Sequence, residues 1–321
     1  MYNASRYRLF SILVVTAVVS LFLPAIHARA GEMTITVRIL EKHLEGPFTL
    51  SSPGGLNVTI GSTGLSLFGP VTVSTVAGGP VLALDGDTTL GVDDRAVFTP
   101  LVPGDCITVA IEESALTRGF RGDIIVTADD KGPLLINRVD LEEYLASVVA
   151  GEMGGVDEAA LTAQAILSRT WVMTHLGTHD AADLCDLTHC QSYKGVDAET
   201  PAALRATKKS EGLILTYDGE PAMIFYHACA GGMTTSPKYV WSGPDIPYLV
   251  PVEEVYRGRD LSAGSPHRSW EWWVDTDELM GMLSSSFEGT YRALSISERD
   301  PSGRAMTIRL SGKASRTIAG E

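Results

Sequence analysis

The amino-acid sequence predicts an α+β fold, with mixed helices and antiparallel strands around one catalytic domain and a β-rich region ahead of it. Three observations carry that expectation. Residues 33 to 135 are built of short β-branched runs punctuated by Gly, Pro and Asp. Beyond residue 140 come three segments of helical character, each preceded by a side chain suited to cap it. Strand-like runs then return between residues 213 and 311.

The first thirty residues stand apart from this plan. Arg6 and Arg8 precede an almost unbroken apolar run from Leu9 to Ala25, and Ala28-Arg29-Ala30 offers the small residues a signal peptidase requires. The segment reads as a secretory signal cleaved after Ala30, which makes the protein exported to the cell envelope or periplasm. The competing reading is a retained anchor, because the run approaches the length that spans a bilayer. Its removal moves the formal net charge from −14 to −17. A chain so acidic does not bind nucleic acid by neutralising phosphates, and 45% apolar residues exclude a disordered chain.

In the β-rich region, expected to span residues 31–119, "TITVRIL", "LNVTIG", "PVTVSTV", "PVLALDG" and "CITVAI" read as strands, and "DIIVTAD" continues the series. Cys106 heads one apolar run and reads as a small buried hydrophobe. The catalytic domain is expected to span 120–321. Within "LLINRVDLEEYLASVVAGEM", Val139, Leu141, Tyr144, Leu145, Val148 and Val149 follow helical spacing. Asp140 is its N-cap, Glu143 the return half of a capping box, and Glu142 a surface residue. The glycines of "GEMGG" stop this helix near Gly151.

A second helix, "VDEAALTAQAILSRTWVMTHLG", starts at a capping Asp157 and closes at Gly177. Ala159, Thr162, Ala163, Ile166, Thr170 and Met173 form a stripe of small or apolar residues, and Gln164 and Arg169 are candidate substrate contacts. A third helix follows a capping Thr200. "LILTYDGEPAMIFYHA" reads as a hairpin turning at Asp218-Gly219, its second strand running into "CAGGMT". "WEWWV" reads as a Trp-rich strand, residues 276–285 as a short helix, and "RALSISE" and "AMTIRLS" as closing strands.

Between the second and third helices lies "DLCDLTHCQSY", with His179 six residues before Cys185. In an exported protein the spacing of Cys185 and Cys190 favours a short disulfide loop. A disulfide leaves His189 and His179 without a role, whereas a metal site would use all four side chains.

The blocks "VDLEEYLASVVAGEM", "EAALTAQAILSRTW", "CDLTHCQSYKG", "GLILTYDGEPAMIFYHACAGGMT" and "VWSGPDIPYL", in this order, resemble the stage II sporulation protein D (SpoIID/LytB) family over roughly residues 120 to 275. The resemblance implies a peptidoglycan lytic transglycosylase, which cuts the glycan between N-acetylmuramic acid and N-acetylglucosamine and closes a 1,6-anhydro ring. It implies that Glu152, in the family's "EM" motif, is the catalytic acid, and that His179, Cys185, His189 and Cys190 are metal ligands. Two thiolates and two imidazoles suit a structural, tetrahedral zinc.

One carboxyl suffices for this chemistry, because the nucleophile is the substrate's own 6-hydroxyl. Tyr226 and His227 are the candidate sugar contacts on the opposite wall of a cleft. Gly231 and Gly232 let a glycan pass close to backbone, and Trp241 offers an apolar face to stack on a sugar. Ala228 and Ala230 stand where many members carry small hydroxyl residues, which weakens that wall as a sugar site. The expected partners are peptidoglycan glycan strands and a cooperating amidase. The alternative is a non-catalytic wall binder that brings the amidase to its substrate.

Overall fold

The computed structural model describes residues 33–320 apart from 45, 77–78, 84–88, 93–94, 130–131, 155–156 and 242. The expected signal segment lies outside the described residues. Among those described, no helix is long and apolar enough to cross a membrane.

The chain divides into two compact units, residues 1–224 and 225–321. In the first, thirteen strands among the described residues precede or flank the helical segment: β1 (Thr34–Ile39), β2 (Phe48–Ser51), β3 (Leu56–Ile60), β4 (Thr63–Leu67), β5 (Val71–Val76), β6 (Gly79–Ala83), β7 (Thr89–Gly91), β8 (Ala96–Pro100), β9 (Ile107–Ile111), β10 (Leu116–Phe120), β11 (Asp123–Asp129), β12 (Gly132–Asp140) and β13 (Leu184–Cys185). They form a seven-stranded sheet, ordered β13-β1-β12-β11-β8-β3-β4, and a six-stranded sheet, ordered β10-β9-β2-β5-β6-β7. Burial alternates along β1, where Ile35, Val37 and Ile39 are buried, and along β9, where Ile107, Val109 and Ile111 are. This is the period of a strand with one face in the core.

The boundary expected near residue 120 falls inside this fold. β12 pairs with β1 from Thr34↔Asp140 to Ile39↔Leu135, and with β11 on its other side. The helices therefore grow out of the same sheet as the N-terminal strands. β12 itself was the strand hidden by the helical spacing expected from Val139 onward.

Helix α1 (Leu141–Glu152) starts where Asp140 accepts hydrogen bonds from the N–H groups of Glu142 and Glu143. Helix α2 (Glu158–His175) is capped in the same way by Asp157, and α3 (Pro201–Lys209) by Thr200, with Pro201 in its first turn. Val149, Leu161, Ala165, Ala203 and Ala206 form the core shared by the three helices. The alanines permit close approach, while each buried Val or Leu contributes about 1.5–3 kcal/mol. The buried residues of α2 are Leu161, Gln164, Ala165, Ser168, Arg169, Thr170, Trp171 and Val172, so of the Ala159–Met173 stripe the sequence suggested only Thr170 is buried. A tight hairpin, β14 (Thr216–Tyr217) and β15 (Glu220–Pro221), follows, turning at Asp218 (φ 52°) and Gly219 (φ 89°) as expected.

The second unit contains the short α4 (Pro237–Val240), the hairpin β16 (Val255–Tyr256) and β17 (Arg259–Asp260), helix α5 (Thr276–Ser286), and the meander β18 (Tyr291–Arg299), β19 (Ala305–Gly312) and β20 (Ser315–Ala319). Met280 of α5 packs with Tyr291 and Leu310 of the meander, and Leu283, Phe287, Ile308 and Ile318 surround them. Among the described residues one expected strand is absent and another is cut short. "WEWWV" pairs with no strand, and Trp270, Trp272 and Trp273 are exposed. The segment from Ala222 through "CAGGMT" is likewise irregular rather than a continuation of β15.

Candidate active site and metal centre

Glu152 is the last residue of α1 and is half-buried. The next residue, Met153, closes the helix with its N–H on the Val149 carbonyl at 3.0 Å, and its side chain packs on the three-helix core. That anchor fixes the helix end and with it the Glu152 backbone. The carboxyl is then oriented by one contact: Oε1 accepts the N–H of Ser192 at 2.7 Å. Among the described residues, Oε2 accepts no hydrogen bond. The arrangement is a carboxyl held at one oxygen and left available at the other.

His179, Cys185, His189 and Cys190 converge so that one donor atom from each lies within 4.8 Å of all the others. Cys185 Sγ is 3.2 Å from His189 Nε2, and His179 Nε2 is 3.3 Å from Cys190 Sγ. Bond lengths of about 2.3 Å to sulfur and 2.0–2.1 Å to nitrogen around one ion would separate N and S by about 3.5 Å. The donor set therefore fits a tetrahedral cation, and these four side chains could hold a metal ion. All four cysteines are free thiols, so Cys185 and Cys190 form no disulfide here.

The loop that presents these ligands is sewn to β1. β13 pairs in parallel with β1, Arg38 opposite Cys185. Asp183 accepts the Thr36 N–H at 2.8 Å and hydroxyl at 2.7 Å, and Asp186 accepts the Leu40 N–H at 2.9 Å. Asp186 therefore acts as a hydrogen-bonder of the loop. Burial pushes the Cys185 thiol up to about 12, opposed by the Leu187 N–H that points at its sulfur from 3.4 Å. A bound cation would supply the charge that holds such a sulfur as thiolate. Burial and the neighbouring His189 and Arg38 lower the His179 pKa, which favours the neutral imidazole a metal requires.

Other expected site residues have different roles. Arg169 is fully buried and forms a two-point pair with Glu142, Nε to Oε1 at 2.7 Å and Nη2 to Oε2 at 2.5 Å. Its Nη1 donates to the Leu213 carbonyl at 2.9 Å. Arg169 is thus a brace between α1, α2 and the segment after α3, and has no surface to offer a glycan. Glu142, expected at the surface, is its partner. Gln164 is buried and donates to the Ser168 hydroxyl at 3.0 Å, so it is internal too. Glu143 is exposed at the side of α1; partial desolvation raises its pKa while Arg121 opposes the rise. Cys106 is half-buried rather than a core residue.

In the second unit, Tyr226 is half-buried and His227 exposed. Gly231 (φ 76°) and Gly232 (φ 114°) occupy backbone conformations that side chains rarely adopt, and the Gly232 N–H binds Glu254 at 3.1 Å. Trp241 is exposed and stacks on Phe225, centroids 4.7 Å apart. Sequence reasoning missed Ser192. Its contribution to Glu152 is a backbone N–H, which no residue pattern advertises.

Residues 129–217 match the family described as SpoIID, stage II sporulation protein. The matched stretch contains Glu152 and all four Cys/His residues, and ends before Tyr226. The chain is also 26% identical over 196 residues to the stage II sporulation protein D of Bacillus subtilis (strain 168), covering 56% of this chain and 55% of that protein. The resemblance to the stage II sporulation protein D family, carried by the five sequence blocks, is thereby borne out. The chain spans about half the length of the curated relative it matches.

Proposed function

We propose that this is an exported, sporulation-type cell-wall protein that acts as a peptidoglycan lytic transglycosylase, with Glu152 as general acid and then base. The observation that carries this reading is the Glu152 carboxyl, half-buried, fixed at one oxygen by the Ser192 N–H at 2.7 Å, while its second oxygen accepts no hydrogen bond among the described residues. A protonated Glu152 gives its proton to the glycosidic oxygen as the bond from muramic C1 breaks. The substrate's 6-hydroxyl then bonds to C1, and its proton returns to Glu152. Atoms balance without water: one bond to C1 is lost, one gained, and the carboxyl ends as it began.

The Cys/His cluster is proposed to hold zinc as a structural ion, since four protein ligands leave no open position. When bound, the ion supplies charge for two thiolates. His179 would tie the segment just after α2 to the loop carrying Cys185, His189 and Cys190. A second reading, a wall binder that assists an amidase without cutting, is supported by the exposed Trp241, Trp270, Trp272 and Trp273. Incubation with glycan strands, with and without stem peptides, separates the two. Anhydro-muramic ends identify the enzyme, and intact strands that pellet with the protein identify the binder.

A further inference from the structure

We infer that residues Gln191–Lys194 form a strap that transmits the hold of the Cys/His cluster to the carboxyl of Glu152, with Ser192 as the positioning residue. The inference deepens the lytic reading and rests on it for the role of Glu152. Cys190 is only two residues ahead of Ser192, so whatever fixes Cys190 limits where the Ser192 N–H can be. The strap is then bonded along its length. Buried Gln191 accepts the Tyr144 hydroxyl at 3.0 Å. The Tyr193 N–H bonds the Gln191 carbonyl at 2.8 Å, a tight three-residue turn with Ser192 at its apex. Buried Tyr193 donates its hydroxyl to Asn137 at 2.6 Å, and the Lys194 N–H reaches the Ser147 hydroxyl at 3.1 Å.

Gly151 supplies an independent observation. A Cβ there would lie 2.5 Å from the Ser192 carbonyl oxygen and 2.9 Å from its hydroxyl. Its φ is not in the left-handed region, so glycine is required by close approach and not by backbone conformation. The end of α1 and the apex of the strap touch backbone to backbone, and that contact sets the Glu152–Ser192 hydrogen bond. Loss of the cluster's ion frees Cys190, loosens the apex, and releases the carboxyl, while α1 and the sheet stay folded.

Two measurements on the full chain test this. Amide hydrogen exchange is followed at Ser192, with Val126 and Leu135 in β11 and β12 as references, for zinc-loaded protein and for protein stripped with a chelator. Zinc slows exchange at Ser192 by a factor at least about tenfold larger than the general slowing it gives the references, and Glu152→Ala in the zinc-loaded protein raises Ser192 exchange. The inference is overturned if Ser192 ignores zinc or the Glu152 side chain, or if all three amides change by the same factor, which would make the cluster a staple of the whole fold.

The second measurement is kinetics on stem-peptide-free glycan strands. Gly151→Ala lowers kcat about 10- to 100-fold, with KM within about twofold and zinc content unchanged. Ser192→Ala, which keeps the N–H, cuts at least about tenfold faster than Ser192→Pro, which removes it. Wild-type kcat in folded Gly151→Ala overturns the strap. If wild type cuts nothing while the exchange result holds, the lytic reading fails and the strap stands.

Discussion

Removing Glu142 tests whether the α1–α2 pair is a brace or a substrate contact. Arg169 has no exposed surface, and both Glu142 oxygens face its guanidinium at 2.5–2.7 Å. Glu142→Ala leaves a buried guanidinium with only carbonyl partners, Leu213 at 2.9 Å and Ala165 at 3.4 Å. Breaking such a pair from one side costs about 3–5 kcal/mol. The Glu142 side chain keeps 26% of its surface exposed, so water reaches the pair and the lower end, about 3 kcal/mol, is expected. For a unit of this size that is a fall in Tm of roughly 6–12 °C. Chemical denaturation followed by circular dichroism gives the free energy directly. The double variant Glu142→Leu with Arg169→Met recovers most of the loss, because a buried ion pair replaced by apolar side chains is often neutral. A loss below about 1 kcal/mol, or a loss of glycan binding at unchanged stability, refutes the brace.

Three further outcomes follow. Native protein carries about one zinc per chain by metal analysis, and Cys185→Ser abolishes it; a native mass spectrum with Cys185 linked to Cys190 would contradict this. If the zinc concentration exceeds Kd a thousandfold, the ion contributes about 4 kcal/mol, so chelation lowers Tm by roughly 8–16 °C. In the second unit, burial opposes the charge of Asp300, but hydrogen bonds from Thr235, Ser302 and the Arg304 N–H outweigh it and lower its pKa. Its stabilising contribution is therefore full above the unfolded value of about 3.9 and lost as pH falls through the lower folded value. Urea midpoints of Asp300→Asn between pH 2 and 6 should lack that decline.

Much of this was legible because it is local. Asp140, Asp157 and Thr200 each cap the helix they precede, since a cap is a contact between residues two or three apart. The Cys/His cluster was legible through the family resemblance, because the spacing of Cys185 and Cys190 by itself favoured a disulfide. What failed was non-local. "WEWWV" has the aromatic and β-branched content of a strand, but a strand exists only where a partner supplies the ladder, and among the described residues none does. β12 hid behind helical spacing because its partners lie about a hundred residues upstream in β1 and a turn away in β11. Glu142 and Arg169 are polar and sit 27 positions apart, so the sequence placed Glu142 at the surface and Arg169 against substrate, and only their meeting shows otherwise. The Ser192 N–H is common to every residue but proline, so its role emerges from the fold alone.

The most direct measurement of the central claim is Glu152→Gln on purified glycan strands in heavy-oxygen water. Glutamine keeps an oxygen for the Ser192 N–H and cannot donate a carboxyl proton. The account predicts that wild type yields 1,6-anhydro ends without heavy oxygen, and that the variant binds strands but does not cut them. Equal cutting by the variant, or heavy oxygen in the wild-type product ends, would contradict it.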